Sequence, residues 1–342
     1  MKLRNSENKN ILIVLNYRES KSGITNQILE LKHSLEKENY EVTLVSTYGS
    51  VYQRIKGILD IYKIGQNTNL IIAVGCAYYG FFPMMVAAAV AFLLGKNILY
   101  NFHDGQAKIF LEKYSKLVRF VIRDKKIIVA SGFVFDVFKK YNFNVVLIPN
   151  HFNENYTFPA VNNNSDWNNK ILWSRSFEKL YRPELALKVA QKVVDNINCE
   201  FHFYGNGSLL ENLENEYNIP GIIFHRLIDR TDFLNEYGKY SFYFNTSEFD
   251  NFPLSIMEAG YFGLFVLSTK SEGVSSIYNN KEIYYFKGID VNEISSEIIN
   301  IFKCKEKFNE YRINLRNKIS NYEWRNVKSK WIEALTEAVN HY

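Results

Sequence analysis

The run Ile11-Leu-Ile-Val-Leu15 decides the architecture of this chain. Five consecutive apolar residues do not alternate as a strand with one wet face would. They suit a strand buried on both sides, as in a parallel sheet covered by helices. A loop containing Ser20-Lys-Ser-Gly-Ile24 follows, then a helical pattern through Ile28, Leu31 and Leu35, then a second strand at Glu41-Val-Thr-Leu-Val45. Further strands are expected at 70–74, 98–102, 126–130 and 145–148, with helical patterns between them. Strands alternating with helices imply parallel crossovers and a doubly wound α/β sheet. The chain turns polar at Asn162-Asn-Asn-Ser-Asp166, and the same rhythm then restarts. Strands are expected at 170–173, 200–204, 222–224, 242–244 and 265–268, and helices at 183–195, 208–217, 229–237, 254–262, 293–304 and from 307 onward. The expected organisation is a Rossmann-like domain over 1–153, a linker over 154–169 and a second Rossmann-like domain over 170–342. The C-terminal helix, with Trp324 and Trp331 seven apart on one face, is free in this reading to pack back on the first domain.

Length and composition agree with a globular protein of two domains. The chain has 342 residues, with 26 Phe and 24 Tyr to fill large cores. Cys76, Cys199 and Cys304 are far apart and odd in number. They form neither a disulfide framework nor a metal-ligand pattern, and they point to a reducing, cytoplasmic setting. The polar start of the chain argues against a secretory signal. Residues 78–95 are uncharged, but their two glycines, their proline and the strands on either side fit a buried crossover helix better than a membrane span.

Charge is unevenly shared. Residues 1–150 hold 20 Lys/Arg against 11 Asp/Glu, and the remainder holds 21 against 25. A basic first half suggests an anionic partner there: a membrane, a lipid-linked phosphate or, ranked last for want of a recognisable module, nucleic acid. Within Lys108–Lys126, Lys113, Lys116 and Arg123 gather on one side of a helical wheel, beside Leu117, Val118, Val121 and Ile122. That pattern fits a helix lying on an anionic bilayer, and equally a crossover helix with a solvated basic face.

The chemistry is concentrated in the second half. Asp250-Asn-Phe-Pro-Leu-Ser-Ile-Met-Glu258 sets two carboxylates eight positions apart, around a proline where a helix can begin. A helix N-terminus offers unpaired N–H groups and a positive dipole end to a phosphate, and the carboxylates could read sugars on either side of it. The same pattern is also that of an acidic loop before an amphipathic helix. Arg175, Lys179 and Arg182 follow the second half's first strand, where cations can hold a diphosphate or simply be solvated. Gly205-Asn206-Gly207 could admit a ligand to the backbone, or serve as a plain strand-to-helix turn.

Taken in order, Arg175…Lys179, Gly205-Asn-Gly207 and Asp250-x7-Glu258-Ala resemble the family 4 retaining glycosyltransferases of GT-B fold. The resemblance runs over nearly the whole chain and includes Ser22-Gly-Ile24, His103-Asp-Gly105, Ile148-Pro-Asn150 and Ser271-Glu-Gly-Val274. It implies two doubly wound domains with a central cleft. It also implies site roles: Glu258 on the nucleotide ribose, and the backbone of Leu254 and Ser255, in the turn with Phe252 and Pro253, on the diphosphate. Arg175 and Lys179 would stand against the phosphate charge. Gly205 and Asn206 would lie at the nucleotide, Gly23 at the phosphate or acceptor, and His103 and Asp250 at the donor sugar.

Three departures stand out. Asp250 replaces the family's usual Glu, the Arg-to-Lys spacing is one residue short so that Arg182 is the substitute for Lys179, and Ser22-Gly23 replaces paired glycines. The resemblance implies a nucleotide-diphosphate sugar donor, with UDP ahead of GDP, and a saccharide or lipid-linked saccharide acceptor in bacterial cell-surface glycan synthesis. It implies no cofactor and no metal. The basic segment Lys108–Lys126 adds an expected peripheral attachment to the inner face of the plasma membrane. The competing readings are a nucleotide-sugar epimerase or phosphorylase, or a non-catalytic nucleotide-sugar-binding subunit.

Overall fold

Ile11–Leu15 lies in β1 (Asn10–Leu15), which pairs in parallel with β2 (Glu41–Ser46) and β3 (Leu70–Gly75). The computed structural model that shows this describes residues 9–16, 23–152, 167–226 and 230–340. The sheet continues through β4 (Asn97–Phe102), β5 (Ile127–Val129) and β6 (Val145–Leu147), all parallel, in the order β2-β1-β3-β4-β5-β6. Leu12 and Val14 enter a core with Ile61, Ala87 and Val90, whereas Ile11, Ile13 and Leu15 enter another with Leu31, Trp324 and Trp331. Helices therefore cover both faces, which is why the strand reads as an unbroken apolar run. Each such side chain removed from water contributes about 1.5–3 kcal/mol before entropy is counted.

Helix α1 (Gly23–Lys37) covers one face of this sheet. Helices α2 (Val51–Gly65), α3 (Phe82–Leu94), α4 (Ala107–Ile122) and α5 (Gly132–Lys140) cover the other. The uncharged stretch 78–95 is a short 3₁₀ turn (Tyr78–Phe81) leading into α3, whose 13 residues stop at Gly95 in the left-handed conformation, φ 62°. That is about 20 Å of helix, short of a bilayer core. Among the described residues no helix is long and apolar enough to cross a membrane.

The second sheet uses the other common winding. Strands β7 (Lys170–Ser174), β8 (Glu200–Tyr204), β9 (Ile222–His225), β10 (Phe242–Asn245), β11 (Phe265–Thr269) and β12 (Tyr284–Phe286) stand in the order β12-β11-β10-β7-β8-β9, again all parallel. The chain starts at β7, winds outward to β9, then returns to β10 and winds the opposite way. The switch point between β7 and β10 is where doubly wound sheets bind ligands, at the carboxyl ends of the strands. Helices α6 (Pro183–Val194), α7 (Leu210–Glu216), α8 (Arg230–Tyr237), α9 (Leu254–Tyr261), the one-turn α10 (Glu272–Ser275), α11 (Val291–Phe302) and α12 (Asn309–Ser320) accompany it. Much of the aromatic content fills this core, with Trp173 against Phe177 and Phe242 stacked 4.4 Å from Phe302.

The structure departs from the expected elements in three places. β12 is a strand of three residues, too short to show a period. α11 begins two residues early, because the Asp290 side chain accepts from the amides of Asn292 and Glu293 and caps it there. The expected helix from 307 onward breaks after Ser320, and α13 (Trp324–Asn340) starts anew. At the break the Phe152 amide donates to the Tyr322 carbonyl and the Trp324 amide donates to the Phe152 carbonyl. The chain falls into two compact units, Met1–Glu154 with Tyr322–Tyr342, and Asn155–Asn321. α13 belongs to the first, where Trp324 and Trp331 join the core beneath β1. Most of the expected linker, 154–166, lies outside the described residues, as does Ser22.

Candidate active site

The carboxyl ends of β7 and β10 carry the charged cluster of the second unit. Arg175 follows β7 directly. Its guanidinium lies 2.5 Å from an Asp250 carboxylate oxygen, donates to Asn245 Oδ1 at 3.3 Å and sits over the Tyr181 ring. Both ionic side chains are nearly buried, 11% and 13% exposed. Burial pushes the Asp250 carboxyl above its usual range, and the Arg175 charge pulls against that shift. Arg175 Nε is buried and has no hydrogen-bond partner among the described residues, so one donor of the fork is unspent.

Glu258 sits on α9 and is 8% exposed, with one carboxylate oxygen accepting from Tyr237 Oη at 2.8 Å. The Tyr237 hydroxyl lies 3.3 Å from Ser174 Oγ, and Ser174 Oγ donates to Tyr243. The acid is thus held in a chain of buried hydroxyls that runs through Ser174 on β7, the strand that presents Arg175, to Tyr243 on β10. Pro253 is the N-cap of α9, and the amides of Ile256 and Met257 both turn back to its carbonyl. The amides of Leu254 and Ser255 precede those bonds, at the positive end of the helix. Phe252 and Ser255 are buried beside them.

The other expected residues have mixed placements. Lys179 is exposed on a one-turn 3₁₀ helix. Arg182 is half-buried, in the left-handed conformation, and faces Glu248 at 3.4 Å. The glycines of Gly205-Asn-Gly207 meet protein backbone: a Cβ at Gly205 would fall 2.0 Å from the Arg175 carbonyl oxygen, and one at Gly207 2.5 Å from that of Phe177. The Asn206 carbonyl accepts from the Phe177 amide. This turn therefore shapes the loop that carries Arg175. Gly273 does the same for the acid, since a Cβ there would lie 1.5 Å from the Asp250 carbonyl oxygen.

Gly23 and His103 lie in the first unit, Gly23 as the first residue of α1 and His103 just after β4. His103 Nε2 is buried without a partner among the described residues, beside a small cavity lined by Gln27, Asn101, Asn150 and Trp331. Burial lowers its pKa to about 4, so the ring is neutral at pH 7.

Asn245 and Tyr237 are absent from the sequence-based reading, and Gly273 enters it only within the turn Ser271-Glu-Gly-Val274. Asn245 had a visible signal, as the polar residue closing the buried run Phe242-Tyr-Phe. It is wholly buried, and its amide donates to Ser268. Tyr237 gave no signal, because its partner is 21 residues away.

Residues 156–322 match the model of the family described as glycosyl transferases group 1. The protein is a glycosyltransferase, and the matching domain falls on its second unit. That domain contains Arg175, Asp250, Glu258 and the start of α9. No curated protein matches the chain. Solved structures do. Anabaena HepE in complex with UDP and glucose is 13% identical, with a TM-score of 0.77 over 96% of this chain and 100% of that one. Sucrose-phosphate synthase from Thermosynechococcus elongatus is 13% identical, with a TM-score of 0.75 over 96% and 98%. A TarM mutant of S. aureus, in complex with UDP, fondaparinux and α-GlcNAc-glycerol, is 17% identical, with a TM-score of 0.64 over 81% and 58%. The glycosyltransferase has the GT-B fold: two parallel six-stranded sheets with flanking helices.

Proposed function

We propose that this glycosyltransferase moves a sugar, with retention, from a UDP-sugar to a saccharide or lipid-linked saccharide, in family 4 and in the building of a bacterial cell-surface glycan. The observation that carries the reading is the buried carboxylate Glu258 beside a helix N-terminus and Arg175, all at the switch point of one sheet. A ribose diol is a natural partner for a buried carboxylate. A diphosphate is a natural partner for helix amides and a guanidinium with a donor to spare. UDP is placed ahead of GDP because HepE and TarM were solved with UDP.

In this reaction the bond from the anomeric carbon to the phosphate oxygen breaks, and a bond from the acceptor oxygen to that carbon forms on the same face. The acceptor hydroxyl proton passes to the departing phosphate. Arg175, Lys179 and the amides of Leu254 and Ser255 offset the charge growing on the leaving group, with no divalent ion in the scheme. Asp250 keeps the Arg175 fork aimed at the phosphate and meets the sugar hydroxyls with its remaining acceptor capacity. Gly23 and His103 keep the roles that the family resemblance implies. The enzyme would work on the cytoplasmic side of the plasma membrane.

A thermal-shift screen of UDP-, GDP-, ADP- and dTDP-sugars tests the donor. At a hundredfold excess over its dissociation constant a ligand stabilises by about 2.7 kcal/mol. Glu258→Ala should abolish the shift given by the correct donor, and an unchanged shift removes the ribose assignment. The anomeric configuration of the first product, read by NMR before mutarotation, decides retention against inversion.

A further inference from the structure

The helix layer α2–α3–α4 is the least expected surface of the first unit. Its inner side fills the core, and its outer side is also apolar. On α2, Tyr52, Ile55, Leu59 and Tyr62 are exposed at 3-4-3 spacing, which lines them along one stripe. α2 packs beside α3, and α3 beside α4. Phe92 and Leu93 at the end of α3 are 71% and 72% exposed, and Phe120 on α4 is 72% exposed. A soluble surface rarely keeps so many large apolar side chains in water without a use for them.

The charges on the same layer say what the face meets. Residues 51–126 contain eleven Lys/Arg and four Asp/Glu. Arg123 lies over the rings of both Phe92 and Phe120, at 5.3 and 6.0 Å. Lys56, Lys63, Lys113 and Lys116 are exposed around the apolar stripes. Aromatic rings, aliphatic side chains and long cationic stems that can lift their heads are the composition of a helix face seated at the boundary of an anionic bilayer.

We propose that the outer face of α2, α3 and α4 docks this protein on an anionic membrane, with Phe92, Leu93, Phe120 and the α2 stripe entering the headgroup region and the surrounding cations holding lipid phosphates. This extends the basic segment 108–126 to a surface of three helices. It does not depend on which sugar is transferred.

The test is flotation of the full chain with vesicles of phosphatidylcholine alone, and of phosphatidylcholine mixed with phosphatidylglycerol, without any donor present. The protein should float with the anionic vesicles and stay behind with the neutral ones, and salt near 0.5 M should release a large part of it. Phe92→Ser/Phe120→Ser changes only exposed side chains. It should retain the wild-type melting temperature and donor-induced shift while losing vesicle binding. Lys56→Gln/Lys116→Gln should weaken binding by about thirtyfold. Equal recovery with both vesicle types overturns the proposal, as does full binding by the Phe92/Phe120 variant. A dimer in sedimentation that dissociates on Ile55→Glu, with no vesicle binding, also overturns it by assigning the face to a second copy. Failure of the donor screen would leave these outcomes untouched, so the two readings fail separately.

Discussion

The two sheets of this glycosyltransferase have the same number of strands, all parallel, and they hold their buried polar groups in different ways. In the second unit the buried groups at the strand ends include charges held by other side chains: Arg175 against Asp250, and Glu258 under Tyr237. In the first unit the carboxylate after β4, Asp104, accepts from the backbone amides of Ala77 and Gln106, and the buried histidines are neutral. His151 bonds Ser34 and exchanges two hydrogen bonds with Gln27, and its ring lies 4.7 Å from Trp324. Burial lowers His151 to about 3 and His103 to about 4. Keeping an ionic cluster out of water is costly, and the cost makes sense where a charged ligand is to be held. The first unit turns most of its charge outward, around the apolar face of α2, α3 and α4.

Three experiments bear on this contrast. The largest effect is expected from Arg175→Ala, which leaves Asp250 buried without its partner. Denaturant unfolding should show a loss of about 3–5 kcal/mol, with transfer abolished. The Arg175→Ala/Asp250→Ala double variant should be more stable than the single one. Additive losses would mean that the pair is not coupled.

Tyr237→Phe removes the donor to Glu258. It should cost about 1.5–3 kcal/mol and weaken donor binding while leaving the Arg175 pair intact. An unchanged donor affinity would show that Tyr237 does not position the acid.

The smallest effect per step is acid sensitivity of the first unit. The histidine pKa values are depressed in the folded state, so the unfolded chain binds protons more readily below about pH 6.5. The stability these rings contribute is full above that pH and falls as pH drops toward 4. Each histidine should account for about 1.4 kcal/mol per pH unit. His151→Gln should flatten the dependence of the melting temperature on pH over this window. A slope unchanged by the substitution would place the titration elsewhere.

Much of the fold was legible in the chain. Continuous apolar runs such as Ile11–Leu15 imply strands covered on both faces, and their alternation with helical patterns implies parallel winding. The strand Tyr284–Phe286 was not legible, because three residues at a sheet edge show no period. Nor was the break at residues 321–323, which depends on bonds to Phe152 far away in sequence. Within the site, the start of α9 and the run from Asp250 to Glu258 were readable because proline and the carboxylates lie within nine residues. The pairing of Arg175 with Asp250 was not readable, since the two are 75 positions apart and meet only when β7 and β10 become neighbours.

The sequence by itself determined two doubly wound sheets, a helix start flanked by acids and a basic first half, because each of these is a local pattern of period, capping or charge. Only the tertiary structure decided that Arg175 is held by Asp250 and Asn245 and Glu258 by Tyr237, that Gly205 and Gly273 serve backbone approach, that the last helix completes the first unit, and that three apolar helix faces share one surface. Each of these is a contact between segments distant along the chain, and local pattern carries no information about which distant segments the strand order brings together.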